Sequence, residues 1–455
     1  MRAHSRIVSS TIAIVAVSCA AGAFANPAVD DSALRTRQTQ LENGLTVLTL
    51  EDHTTPVVAF QMWVRVGSSD ETRVTGLAHL FEHMMFRGSK NIPPEGHGQL
   101  IQSRGGRTNA YTTSDMTVYT TEIPAEALPL VIALEAERLA NLDISEQTLA
   151  SEREVVLEER RMRTEDQPGG RAREALYALT FQALPYRWPV IGWRSDIANA
   201  TIEDCREFFS TFYVPNNIVI AIVGDFDADA ALEQVRESFG GLARAPEIPR
   251  HSTEEPRQSG IRRARVHFDL NAPVLATAWH APPAGHPDAE ALDVASEILS
   301  GGRSSRVYRR LVYEEQSALS AYSVYSEFAG AGLFGAYASV RPDASIDRVE
   351  ALFMEEIARL RDEPVTAEEL EKAKRQIEVS MIHQLTTNAA IAGRVGYDVT
   401  ILGEIRSLED RLAAIQAVDA DDVQRVARTY LLDAGRNVVH VVSPPASTEP
   451  GQGDS

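Results

Sequence analysis

The chain has 455 residues, 44% hydrophobic and 24% charged, a balance that supports sizeable folded cores and excludes wholesale disorder. Lys and Arg number 44 against 64 Asp and Glu, a formal charge of -20 with no basic block, which makes nucleic acid a poor partner because its phosphates need cationic neutralisation. Two cysteines, Cys19 and Cys205, are too few for a disulfide framework or a cysteine-rich zinc site.

In chain order, residues 1–25 read as a secretory signal. Arg2 and Arg6 give a basic start, 7–21 is an apolar run too short for a comfortable span, and Ala23-Phe24-Ala25 is an A-x-A cleavage site. Cleavage after Ala25 predicts a periplasmic or secreted chain with no membrane span, in which Cys205 has no intrachain partner. Ala16-Val17-Ser18 is a weak lipobox ahead of Cys19, so lipidation there stays open as an alternative.

The remainder divides into a block over 32–242, a Pro-, Gly- and charge-rich linker over 243–262, a second block over 263–443, and a disordered tail over 444–455. The first block predicts a strand over 57–66, a helix over 76–86, alternating strands over 108–122, a helix over 125–139 and a charged amphipathic helix over 145–163. A helix over 201–213 then leads into a strand over 217–223. The second block repeats that series: strand 274–280, helix 289–299, strands 318–340, helices 346–360 and 366–384, then helix 419–430 into strand 437–442. Strands alternating with helices in the same rhythm predict two α+β units of one ancestry.

The chemistry is concentrated in His79-Leu80-Phe81-Glu82-His83. On a helix, positions i and i+4 share a face, so both imidazoles reach one ion, and Glu82 sits close enough to touch a water held there. With 11 His and at most 64 Glu in 455 residues, such an H-x-x-E-H run is expected by chance about 0.04 times. The apolar Leu77, Leu80, Phe81, Met84 and Met85 around the polar trio predict a largely buried helix, and buried charge requires a partner or a metal. A second acidic helix reads Glu152-Arg153-Glu154-Val155-Val156-Leu157-Glu158-Glu159. Seven residues are nearly two turns, so Glu152 and Glu159 share a face, while Glu154 and Glu158 read as a solvated one.

These two segments resemble the M16 metallopeptidases, the group of pitrilysin, insulinase and mitochondrial processing peptidase. The resemblance covers nearly the whole mature chain. It implies a fold of two homologous α/β sandwiches of the LuxS/MPP-like metallohydrolase type, and one zinc ion per chain held by His79, His83 and Glu159, the last lying 76 residues after His83. It implies Glu82 as general base and Glu152 as the acidic residue that assists or orients the site. Gly106 to Thr112, running on to Tyr119, is similar to the family's substrate-edge strand, on which Asn109 and Ala110 would contact the backbone of an added peptide strand. Pro185-Tyr186 and Tyr213 to Asn217 match further landmarks, although Leu184 stands where a His is common.

One departure concerns the second block. Active members often carry an Arg and a Tyr, seven apart, that help bind the substrate carbonyl. Here Tyr322 matches but no Arg falls in register, Arg309 and Arg310 lying just upstream. Either Arg310 reaches by another register, or a partner supplies the pair, in a homodimer or in a heterodimer with a second M16-like chain. The expected function is an exported zinc-dependent endopeptidase acting on unfolded or short peptides. The alternatives are a non-catalytic scaffold or regulatory subunit of the same family and a periplasmic metal-binding protein.

Overall fold

The structure, a computed structural model, describes residues 36–444. The expected leader, its cleavage site and Cys19, and the expected tail beyond residue 444, lie outside the described residues. The first half runs β1 (Arg37–Gln40), β2 (Thr46–Glu51), β3 (Val57–Val64), α1 (Leu77–Met84), α2 (Gly96–Ser103), β4 (Arg107–Thr112), β5 (Thr117–Pro124), α3 (Leu128–Asn141), α4 (Glu146–Arg160), α5 (Pro168–Thr180), α6 (Arg194–Asn199), α7 (Ile202–Phe212), β6 (Ile218–Gly224) and α8 (Ala228–Phe239). The second runs β7 (Arg262–His267), β8 (Val274–Ala281), α9 (Ala289–Ser300), β9 (Ala318–Glu327), β10 (Gly332–Val340), α10 (Ile346–Asp362), α11 (Ala367–His383), α12 (Asn388–Tyr397), α13 (Leu408–Ala417), α14 (Ala420–Tyr430) and β11 (Asn437–Val442).

Two mixed sheets result, ordered β1-β2-β6-β3-β5-β4 and β7-β11-β8-β10-β9. With β1 set aside the orders coincide position by position, and in each the parallel pair is the same one, β2 with β6 and β7 with β11. The duplicated rhythm of the sequence is therefore a duplicated topology. β3 and β6 are almost continuous apolar runs because they are central strands, covered on both faces. β1, with the sequence Arg-Gln-Thr-Gln, carries no such signal and is not predicted from the pattern; it is a short, mostly exposed edge.

One face of each sheet packs on helices of its own half. The other face is covered by a helix from the opposite half. Ile391, Ala392 and Val395 of α12 lie on Leu48, Trp63 and Val219 of the first sheet. There Gly396 is required, since a Cβ would stand 2.2 Å from Trp63 Nε1. Conversely, Ala172 and Leu176 of α5 lie on Ala276, Leu333 and Val439 of the second sheet. Neither crossing helix is among the elements predicted from the sequence. Their apolar residues answer to a sheet in the other half of the chain.

The halves also meet at their hairpin tips. The Tyr186 hydroxyl donates to Asp115 Oδ1 (2.8 Å) and accepts from the Gly330 N–H (2.8 Å), while the Ala329 N–H donates to Asp115 Oδ2 (2.9 Å). The segment between α8 and β7 has no helix or strand, yet it is pinned: Glu255 accepts from the N–H groups of Gln182, Ala183 and Leu184, and Arg250 donates to Asp70 and Asn217.

Candidate metal centre

α1 carries the histidines and is fixed at both its start and its apolar face. Its N-cap, Gly76, has φ of 90°, and a Cβ there would meet the Ile191 carbonyl oxygen at 2.6 Å. No Ser, Thr or Asp caps the helix. Instead the carboxylate of buried Glu71 accepts from the Gly76 and Ala78 N–H groups, both at 2.8 Å, satisfying donors that the first turn leaves open. Burial pushes the Glu71 carboxyl well above its usual range, against the pull of those two N–H groups. Leu77, Leu80, Phe81 and Met84 enter the core, with Phe81 stacked on Phe208 and Phe209. The polar stripe of His79, Glu82 and His83 is thereby turned towards α4 and β4.

α4 is capped by Ser145 and buries Leu149, Glu152, Val156 and Arg160 along one face. Its regular turns stop at Arg160, and the expected continuation to residue 163 widens into a π-helical turn over Arg161–Glu165. Arg160 anchors that end by donating to the Gly192 carbonyl (2.8 Å) and to Glu174 (2.7 Å). Glu159 lies one residue before the anchor.

Three side chains predicted as ligands converge. One ligand atom each from His79, His83 and Glu159 lies within 4.8 Å of the others. Glu159 Oε2 is 3.2 Å from His83 Nε2 and 3.8 Å from His79 Nε2, and the two rings are 4.8 Å apart between centroids. Donors at zinc-ligand distances around a tetrahedral centre stand ~3.3 Å from one another, so the separations suit that ion. The two rings differ in protonation. Burial, with the neighbouring His83, pushes His79 down to about 4, the neutral state a metal ligand needs. Burial also opposes charge on His83, but the carboxylates of Glu152 and Glu159 outweigh it and raise that ring to about 9. A proton on His83 thus serves as the cation between two carboxylates. His79 Nδ1 is buried without a hydrogen-bond partner.

Glu152, 0% exposed, stands behind His83, its Oε2 3.5 Å from Nδ1. Arg87 Nε reaches its other oxygen at 2.5 Å. Glu152 is legible in the sequence and Arg87 is not; the signal that finds Arg87 is the rule that a fully buried carboxylate needs a cation. Arg163 pairs with Glu159 from the exposed side.

Glu82 is held by the Thr112 hydroxyl, which donates to Oε2 at 2.7 Å. Burial raises the Glu82 carboxyl, and Thr112 and His83 offset part of the rise. Asn109, Ala110 and Thr112 line the same 470 Å³ cavity as the two histidines, Glu82 and Glu159. They belong to β4, which among the described residues pairs only with β5 and leaves its other edge unpaired. A second cavity of 380 Å³ shares His79, Thr112 and Glu159 and extends to Tyr177, Trp188 and Phe328. Tyr322 is not brought to the trio: it stands half exposed on β9 with its ring stacked on Tyr337 at 5.1 Å. Arg310 is engaged by Glu315 at 2.9 Å and by Glu355.

Residues 46–192 match the family profile described as Insulinase (Peptidase family M16), and residues 199–377 match that described as Peptidase M16 inactive domain. The zinc protease PqqE of Helicobacter pylori is 30% identical over 404 residues, 88% of this chain and 91% of the relative. A probable mitochondrial-processing peptidase subunit beta of Arabidopsis thaliana is 28% identical over 88% of this chain and 77% of its own length. Among solved structures, a protease from Helicobacter pylori superposes with a TM-score of 0.87 at 29% identity, covering 90% of this chain and 99% of that one.

Proposed function

Since the chain belongs to peptidase family M16, we propose that it is a zinc-dependent endopeptidase acting on unfolded or short peptides, with His79, His83 and Glu159 holding one zinc ion per chain. The observation that carries this reading is the meeting of three side chains able to ligate, contributed by α1 and α4, in an open cavity beside a sheet edge that is unpaired among the described residues. Zinc in such a donor set supplies Lewis acidity towards water and a carbonyl oxygen.

The chain's own groups do the rest. A peptide adds to β4 as a further strand, its backbone contacting Asn109 and Ala110, which requires an extended substrate. Glu82 has one oxygen occupied by Thr112, so Oε1 is the one free to accept the proton of the attacking water and return it to the leaving nitrogen. Glu152, paired with Arg87, would orient His83 from its Nδ1 side, 3.5 Å away, and leave Nε2 for the ion. Charge at the carbonyl oxygen needs a donor outside the trio; with Tyr322 lining neither cavity as the structure stands, a residue of a second M16-like chain, in a homodimer or heterodimer, would supply it. An exported location accompanies this reading, from the leader alone.

A fluorogenic extended peptide tests it. Hydrolysis should stop with a chelator and return with added zinc. A zinc-loaded chain that leaves such peptides intact, alone and with its co-purifying partner, contradicts the reading, as does activity indifferent to chelation.

A further inference from the structure

We propose that Thr112 is a positioning residue through which a peptide paired to β4 sets the orientation of the Glu82 carboxylate; the inference rests on the peptidase reading above. Thr112 is the last residue of β4. It therefore belongs to the free edge that would take the substrate strand and, through its side chain, to the base. Its backbone is paired with Thr117 on the β5 side. Its hydroxyl crosses to α1 and donates to Glu82 Oε2 at 2.7 Å, and among the described residues no other hydrogen bond reaches that carboxylate.

The consequence follows from how stiff each link is. Threonine is β-branched and has few χ1 choices, so the place of its hydroxyl is set by the twist of the strand end that carries it. Glutamate is the opposite: an unbranched side chain with several rotamers, only some of which aim Oε1 into the cavity. β4 is tied to β5 at Thr112, and just beyond it the Thr113 carbonyl accepts from the Ser68 N–H (3.2 Å), but along the rest of its outer edge it has no partner strand among the described residues. An added strand fixes that edge by a ladder of backbone hydrogen bonds. Peptide length along β4 should thus enter the turnover rate as well as binding, because longer pairing holds Thr112, and Thr112 holds Glu82. Glu82 and the three candidate ligands line one cavity, so an error in carboxylate angle would act on proton transfer without disturbing those ligands.

The test compares wild type, Thr112→Val and Thr112→Ser, each zinc-loaded, on a series of peptides that span β4 fully or only in part. In the wild type, kcat should fall as the peptide is shortened. In Thr112→Val, kcat on the longest peptide should fall about 10²-fold, the scale of a 1 Å misplacement, with KM and zinc content little changed and with the length dependence lost. Thr112→Ser should recover most of the rate. Val turning over like the wild type, or Ser failing to rescue, overturns the proposal. Crystal structures of the metal-free proteins give a readout independent of activity. Glu82 should leave its present rotamer in Thr112→Val and keep it in Thr112→Ser; an unmoved Glu82 in the valine variant contradicts the inference. Should zinc-loaded wild type cleave nothing, the peptidase reading fails, and the rotamer comparison alone decides the role of Thr112.

Discussion

In the first half His79, His83 and Glu159 bring one ligand atom each within 4.8 Å; in the second half Asp347, Glu350 and His440 do the same. By proximity the two clusters are alike. They differ in how their lone pairs are used. Glu350 has both oxygens taken by the Arg263 guanidinium, at 2.6 and 2.8 Å, and shares one of them with His440 Nε2 at 2.8 Å. Arg436 lies 3.6 Å away as a further cation. Glu159 instead turns Oε2 to the two imidazoles and pairs its other oxygen with Arg163, which lines the same cavity. One cluster is a closed ion-pair network; the other is a donor set facing a cavity. Closeness of histidine and carboxylate is therefore insufficient evidence of a metal centre; what separates the two is that the first trio lines an open cavity, whereas the Glu350 carboxylate is locked by Arg263 and His440.

The sharpest way to break this contrast is to remove a ligand from each cluster. His79→Ala should lose stoichiometric zinc and all measurable hydrolysis, while His440→Ala should keep both; metal analysis alongside the peptide assay reads the difference. Next in size is Glu82→Gln, which should retain zinc and lose about 10²- to 10⁴-fold in kcat, the range for a positioned general base. Arg87→Ala releases Glu152 behind His83 and should weaken zinc affinity about 10- to 100-fold, measured by competition with a chelator of known affinity. The smallest effect belongs to the closed network. Glu350→Gln should cost about 1–3 kcal/mol of stability in urea unfolding and leave zinc untouched. Its pH dependence has a definite sign. Burial pushes the Glu350 carboxyl up, but His440, Arg263 and Arg436 outweigh it and hold it at about 2, below the ordinary 4.5. The stabilisation is complete above pH 4.5 and disappears as pH falls towards 2, so the gap between wild type and Glu350→Gln should close over that window.

Much of the arrangement is legible in the sequence because it is local or strictly spaced. The H-x-x-E-H run fixes the face of α1, seven residues join Glu152 to Glu159 on α4, and the alternating rhythm of the two blocks becomes two sheets of one topology. What stays hidden is long-range pairing. α5 and α12 answer to sheets in the opposite half, so neither carries a pattern that its own neighbourhood explains. Arg87 gains its meaning only when Glu152 arrives from α4, and Thr112 only when β4 is laid beside α1. Glu71 caps α1 from five residues upstream, across a loop whose path the sequence does not dictate.

The most direct measurement of the central claim is the zinc content of the folded, exhaustively dialysed chain beside Glu159→Gln and His83→Ala. Wild type should hold one zinc ion per chain and each variant almost none, with far-ultraviolet circular dichroism unchanged. Folded wild type free of zinc after exposure to it, or either variant retaining a full equivalent, would contradict the assignment.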